Sequence, residues 1–171
     1  QMAVSRDGVN WTRPSRDPYV PMGLEGALDS SSLYMGIGVV RNGDALYQYY
    51  GGYKSTHGQP NVEGGGSIQR VEQRLDGFVS AHTPFEGGAL TTPAITFSGK
   101  RLLLNIDGSA KGTGKVALLD SDGKEIPGFT LAECDEFGAN SLSREVTWKG
   151  SNDMSAWAGK PVRLKFTMKA M

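Results

Sequence analysis

The side chains with the most chemical potential form two groups early in the chain. Asp17, Glu25 and Asp29 stand in a loop rich in proline and glycine (Pro18, Pro21, Gly23, Gly26), and Tyr47, Tyr49, Tyr50 and Tyr53 follow, with His57 just beyond. Carboxylates cleave glycosidic bonds as acid and as base or nucleophile when a second carboxylate stands across the scissile bond. Asp29, beside Ser30, is the candidate for a sugar-binding or catalytic pocket. The same acidic residues equally suit turn capping in a solvated loop. Tyrosine rings stack on the apolar C–H face of a sugar, so Tyr49, Tyr50 and His57 join Asp29 as candidate substrate-binding residues. Strand alternation divides the tyrosines, with Tyr47 and Tyr49 on one face and Gln48 and Tyr50 on the other, so at most one set meets a ligand. Packing between neighbouring sheets would use the same aromatic surface.

Other reactive groups carry weaker signals. Asp107, Asp120, Asp122, Asp135 and Asp153 supply oxygen of the kind calcium takes, yet they are scattered among turns where Asp serves the backbone. His57 and His82 are the two histidines of the chain, which argues against a histidine metal site, and no metal or cofactor is expected. Cys134 is the single cysteine, so no disulfide forms within the chain, and it reads as an idle or buried thiol. Trp148 and Trp157 suit either a carbohydrate platform or core closure. The Gly64-Gly65-Gly66 run lacks a following Lys-Ser/Thr pair and reads as a loop, without the features of a phosphate cradle.

The elements that must position these groups are strands. Glycine makes up 24 of 171 residues, about twice the usual ~7% share, and no long helical periodicity runs through the chain. Eighteen basic and eighteen acidic residues cancel, so the basic stripe of a nucleic-acid binder is missing. The longest apolar runs fall far short of the roughly 20 residues of a membrane-spanning helix.

Val4-Ser5-Arg6-Asp7-Gly8-Val9-Asn10-Trp11-Thr12 reads as a hairpin. Asp7-Gly8 suits a two-residue turn, the Ser5 or Asp7 oxygen caps it, and Trp11 folds back over it. Such a turn recurs once per blade in β-propellers. Leu33 to Val40 and Ala45 to Tyr53 read as strands about an Asn42-Gly43 turn, Lys54 to Gly66 as a loop, and Ser67 to Asp76 as a further strand. After a boundary between Gly77 and Glu86 come strands at Thr91 to Phe97, Arg101 to Ile106, Gly114 to Leu119, Ser143 to Trp148 and Val162 to Met168. The nearly continuous apolar run at 101–106 suggests a strand buried on both faces, whereas 162–168 alternates with one face inward. A helical turn is expected at 153–159, with Asn152 or Asp153 at its start and Gly159 at its end. The fold expected is therefore all-β, with a propeller-blade-like antiparallel meander over residues 1–80 and a jelly-roll-type β-sandwich over 81–171.

The run from Ser5 to Trp11, with Asp17-Pro18-Tyr19-Val20-Pro21, Tyr47 to Tyr53 and His57-Gly58, resembles the final blade of bacterial five-bladed propeller glycoside hydrolases related to families 32 and 43. Arg74 to Ser80 and Gly87 to Thr92 look like the junction into their C-terminal β-sandwich. Leu102 to Asp107, Asp120 to Gly123, Ile126 to Phe129 and Val146 to Gly150 look like the strands and turns of that sandwich. The resemblance implies a C-terminal fragment of a glycosidase whose catalytic carboxylates lie mostly on blades before Gln1. This chain would then be inactive by itself and mainly structural, in a secreted or periplasmic protein whose partner is carbohydrate. Two alternatives remain: a non-catalytic carbohydrate-binding module, and self-association through the exposed blade.

Overall fold

A computed structural model describes residues 1–59, 65–108 and 110–171. Strands account for 39% of the chain, all sheet pairings are antiparallel, and there is no α-helix among the described residues, so the protein is all-β. It divides into two compact units, Gln1–Val79 and Ser80–Met171.

In the first unit, Val4 and Thr12 form a single antiparallel bridge with N–H···O distances of 2.8 and 2.9 Å. The turn they close is wider than the two-residue hairpin that Asp-Gly suggests, because Asp7 spends its carboxylate on the backbone rather than adopting positive φ. Three strands then form a meander about β3 (Ala45–Tyr53): β1 (Ser32–Met35) and β2 (Val40–Asn42) lie along one of its edges, and β4 (Gly66–Arg74) along the other. The single strand expected over 33–40 is broken. Met35 sits opposite Tyr50 and Val40 opposite Tyr47, so β1–β2 carries more residues than the β3 segment it faces. The surplus loops out at 36–39, where Gly36 N–H still donates to Tyr49 O at 2.8 Å and Gly38 takes φ +95°. The hairpin joining β2 to β3 turns on Gly43-Asp44, one residue later than expected, with Gly43 at φ +58° in the first central position. Part of the expected 54–66 loop, including Gly64, falls on residues 60–64, outside the described residues.

In the second unit, β5 (Gly88–Thr91), β10 (Arg163–Lys169), β7 (Thr113–Leu119) and β8 (Phe137–Gly138) form one sheet in that order, and β6 (Leu103–Asp107) pairs with β9 (Asn140–Glu145) in another. The core gathers Val116 and Leu118 of β7 and Leu164 of β10 with Val146, Trp148, Met154, Val162 and Phe137; Leu104 and Ile106 of β6 pack against it. The expectation that 101–106 is buried on both faces fails. Leu103 is 49% exposed, because β6 turns only its Leu104–Ile106 face inward. Strand β10 alternates as expected, with Leu164, Phe166 and Met168 packed into or against the core. The expected helical turn is a short 3-10 helix, Ser155–Trp157, whose Ser155 N–H donates to Asp153 Oδ1 at 2.9 Å, while Gly159 takes φ +76° after it.

Candidate functional site

The alternation of β3 decides what the candidate residues can do. Leu46, Gln48, Tyr50 and Gly52 share one face and lie under the 17–32 loop. The Tyr50 hydroxyl donates to Asp29 Oδ2 at 2.7 Å, and that carboxylate pushes the phenol's pKa up, with burial adding to the shift. Asp29 fits here because two glycines make room: a Cβ on Gly52 would lie 2.5 Å from Asp29 Cβ, and one on Gly23 would collide with Asp29 Oδ1. Further along the same face, Tyr19 Oη lies 2.8 Å from Gln48 Oε1 and within bonding distance of Gln73 Oε1. A phenol carries one proton. It donates to Gln48, and turning the Gln73 amide end for end gives its buried Nε2, otherwise without a partner among the described residues, the Tyr19 oxygen as acceptor. Burial raises the Tyr19 pKa. This face is a polar, hydrogen-bonded layer that ties the loop to the sheet.

The opposite face is open. Tyr47, Tyr49 and Tyr53 of β3 lie on it with Tyr34 of β1 and Ile68, Arg70 and Glu72 of β4. Tyr34 and Tyr53 meet edge to face at 5.7 Å, and the His57 ring stands 6.5 Å from Tyr34. The Arg70 guanidinium covers the Tyr47 ring at 4.2 Å and pairs with Glu72 at 3.2 Å, while Asn42 Nδ2 donates to Tyr47 Oη at 3.0 Å. Tyr34, Tyr49 and Tyr53 keep roughly half of their surface in solvent. The four sequence candidates therefore divide: Asp29 and Tyr50 bond to each other on the covered face, Tyr49 lies on the open face, and His57 stands beside Tyr34.

The Ser5–Trp11 turn satisfies itself. Asp7 Oδ1 accepts from Val9 N and Asn10 N at 2.9 and 2.7 Å, Asp7 Oδ2 accepts from Asn10 Nδ2 at 2.7 Å, and Ser5 Oγ accepts from Gly8 N at 2.8 Å. Backbone and side-chain donation from Asn10, then from Val9, holds the Asp7 carboxyl far below the usual carboxylate range. Trp11 Nε1 donates to Gly8 O at 3.1 Å, which folds the indole back as expected, although the ring stays 61% exposed.

In the second unit, the acidic residues hold turns. Asp120 Oδ1 accepts from Asp122 N and Lys124 N, and Asp135 Oδ2 accepts from Thr147 Oγ1 and Gly150 N. Among the described residues, no three His, Cys, Asp or Glu side chains converge as a metal-ligand group. Glu133 was missed by the sequence reading. Its Oε2 accepts from Gly128 N and Thr130 Oγ1, Thr130 Oγ1 accepts from Glu133 N, and Lys149 Nζ lies 2.8 Å from Oε1. The Lys149 bond, then the Thr130 bonds, lower its pKa from 4.5 to about 2. The reciprocal Thr-x-x-Glu pattern was the available signal. Trp148 closes the core, donating through Nε1 to Val116 O at 2.9 Å, and the Cys134 thiol is buried, which raises its pKa. A groove of about 300 Å³ crosses the outer side of the β5–β10–β7 sheet between Glu86, Lys115, Glu136 and Lys169.

No family model, curated protein or solved structure matches the chain.

Proposed function

We propose that this chain is a non-catalytic, architectural part of a glycoside hydrolase-like protein, combining a propeller-blade-like sheet with a jelly-roll-type sandwich. The observation that carries this reading is the unequal core of the two units. Within Gln1–Val79 only Leu46 and Tyr50 are buried apolar side chains among the described residues, whereas Trp11, Leu24, Ile37, Tyr49 and Ile68 are exposed. A sheet so poor in core gains little from burying its own surface, and exposed apolar area of this extent suits a sheet completed by neighbouring protein. The pairing of Asp29 with Tyr50 points the same way, since a carboxylate held by a phenol under a loop serves the fold. Secretion and a carbohydrate substrate for the whole protein come with this reading.

The open face favours a second reading, a carbohydrate-binding surface, because Tyr34, Tyr49 and Tyr53 present ring area beside polar Asn42 and Arg70. Incubation of the full chain with aryl glycosides and fructans, together with affinity gels of the same polysaccharides, separates the cases. The architectural reading expects neither turnover nor retention. Retention lost in Tyr49→Ala supports the binding surface instead, and turnover lost in Asp29→Asn refutes both.

A further inference from the structure

Among the described residues, the Ile68–Glu72 stretch of strand β4 has no strand on its outer side, and its chemistry complements itself. Among the described residues β4 pairs with β3 alone, over its whole length of nine residues. The bonds Lys54 N→Gly65 O (3.2 Å) and Leu75 N→Asp44 O (2.9 Å) set the phase of that ladder. Residues 67, 69, 71 and 73 therefore bond to β3, and Ile68, Arg70 and Glu72 direct their N–H and C=O groups outward. The other edge of the sheet is interrupted by the loop at 36–39, whereas β4 runs unbroken.

We propose that β4 pairs antiparallel with β4 of a second copy about a twofold axis at Val71. That register brings outward-facing backbone groups together, as an antiparallel ladder requires. It also sets Arg70 against Glu72 of the second copy, and Glu72 against Arg70 of the second copy, on the same open face. One step along the strand the match is lost: an axis at Arg70 opposes two guanidinium groups, and an axis at Glu72 opposes two carboxylates. Like charges directly opposite destabilise a strand pair and unlike charges stabilise it. Within one copy, Arg70 pairs with Glu72 at 3.2 Å and its guanidinium covers the Tyr47 ring, so both charges stand on the open face of the outermost strand. Edge strands add partners through main-chain hydrogen bonds in this way. The second copy thus gives a core-poor sheet twice as many strands, and this holds whatever the chain's relation to glycosidases.

The test is sedimentation velocity on the full chain over about a hundredfold range of concentration, with amide exchange read residue by residue. A dimer is expected. Glu72→Arg and Arg70→Glu should each weaken it by about tenfold or more, and the double exchange, which restores opposite charges, should recover association. The amides of Arg70 and Glu72 should gain protection as concentration rises, while those of Gln69 and Val71, already bonded to β3, should not. Circular dichroism of the three variants separates lost pairing from lost folding. A chain that stays monomeric throughout overturns the proposal and assigns the charges to keeping the edge apart. Single variants that associate like the wild type overturn it as well, and so does protection that grows on the tyrosine face instead.

Discussion

Replacing Trp148 by phenylalanine removes the pyrrole half of an indole that is 2% exposed at the centre of the Ser80–Met171 core. Three losses combine. The Nε1–H bond to Val116 O at 2.9 Å disappears, which costs about 1 kcal/mol. The smaller ring buries less surface and leaves a void beside β7, worth about 1–2 kcal/mol together. The edge-to-face contact with Phe129, at 5.1 Å between centroids, changes geometry for a further fraction of a kcal/mol. The sum is about 2–4 kcal/mol, a large share of the stability of a domain this size. Trp157→Phe is the control, because that ring is only half-buried and packs under Lys160 at 4.9 Å, so its loss should stay below about 1 kcal/mol. Urea unfolding followed by circular dichroism should show the later transition of the full chain moving to lower urea in Trp148→Phe with an unchanged slope. Equal losses for the two tryptophans would refute the assignment of Trp148 as the keystone of this core.

Tyr50→Phe leaves the Asp29 carboxylate without its hydroxyl donor, and should cost the first unit about 1–3 kcal/mol and speed amide exchange across 17–32. Gly52→Ala drives a methyl into Asp29, so the loop should lift from the sheet and Tyr50 should gain solvent exposure, read by quenching of tyrosine fluorescence. Acid titration of the second unit should find the Glu133 contribution intact above pH 4.5, the ordinary value, and lost as pH falls towards about 2, because the folded carboxyl is the stronger acid. Glu133→Gln should flatten that acid limb relative to the wild type.

Most strand positions were legible because period-two patterns survive into the fold; the strand expected at Thr91 to Phe97 was not, since β5 covers Gly88–Thr91 and beyond it only Ile95 makes a bridge, to Val162. The alternation of Leu46, Gln48 and Tyr50 against Tyr47, Tyr49 and Tyr53 is readable from the sequence alone. Which face would be covered was not, since that depends on the 17–32 loop folding back onto Gln48, Tyr50 and Gly52 through Tyr19 and Asp29, contacts distant in sequence. The apolar run at 101–106 misled for a related reason: burial on the second face requires a covering layer, and exposed Leu103 has none. The shift of the hairpin to Gly43-Asp44 and the break at 36–39 are matters of local register, where Gly36 and Gly38 permit a detour that no propensity announces. Glu133 has no catalytic or metal-ligand spacing around it, and only the Thr130-x-x-Glu133 pattern marks it as a cap.

In the proposed arrangement Ser80–Met171 stands on its own core, whereas the Gln1–Val79 sheet depends on a neighbouring protein surface. Amide exchange of the full chain at high dilution tests it directly. Val116 and Leu118 in β7 should open only with the most stable part of the molecule, and Gln48 and Tyr50 in β3 should be at least about a hundredfold less protected. If the β3 and β7 amides open with the same free energy in a dilute monomer, the sheet needs no neighbouring surface and the proposed arrangement is wrong.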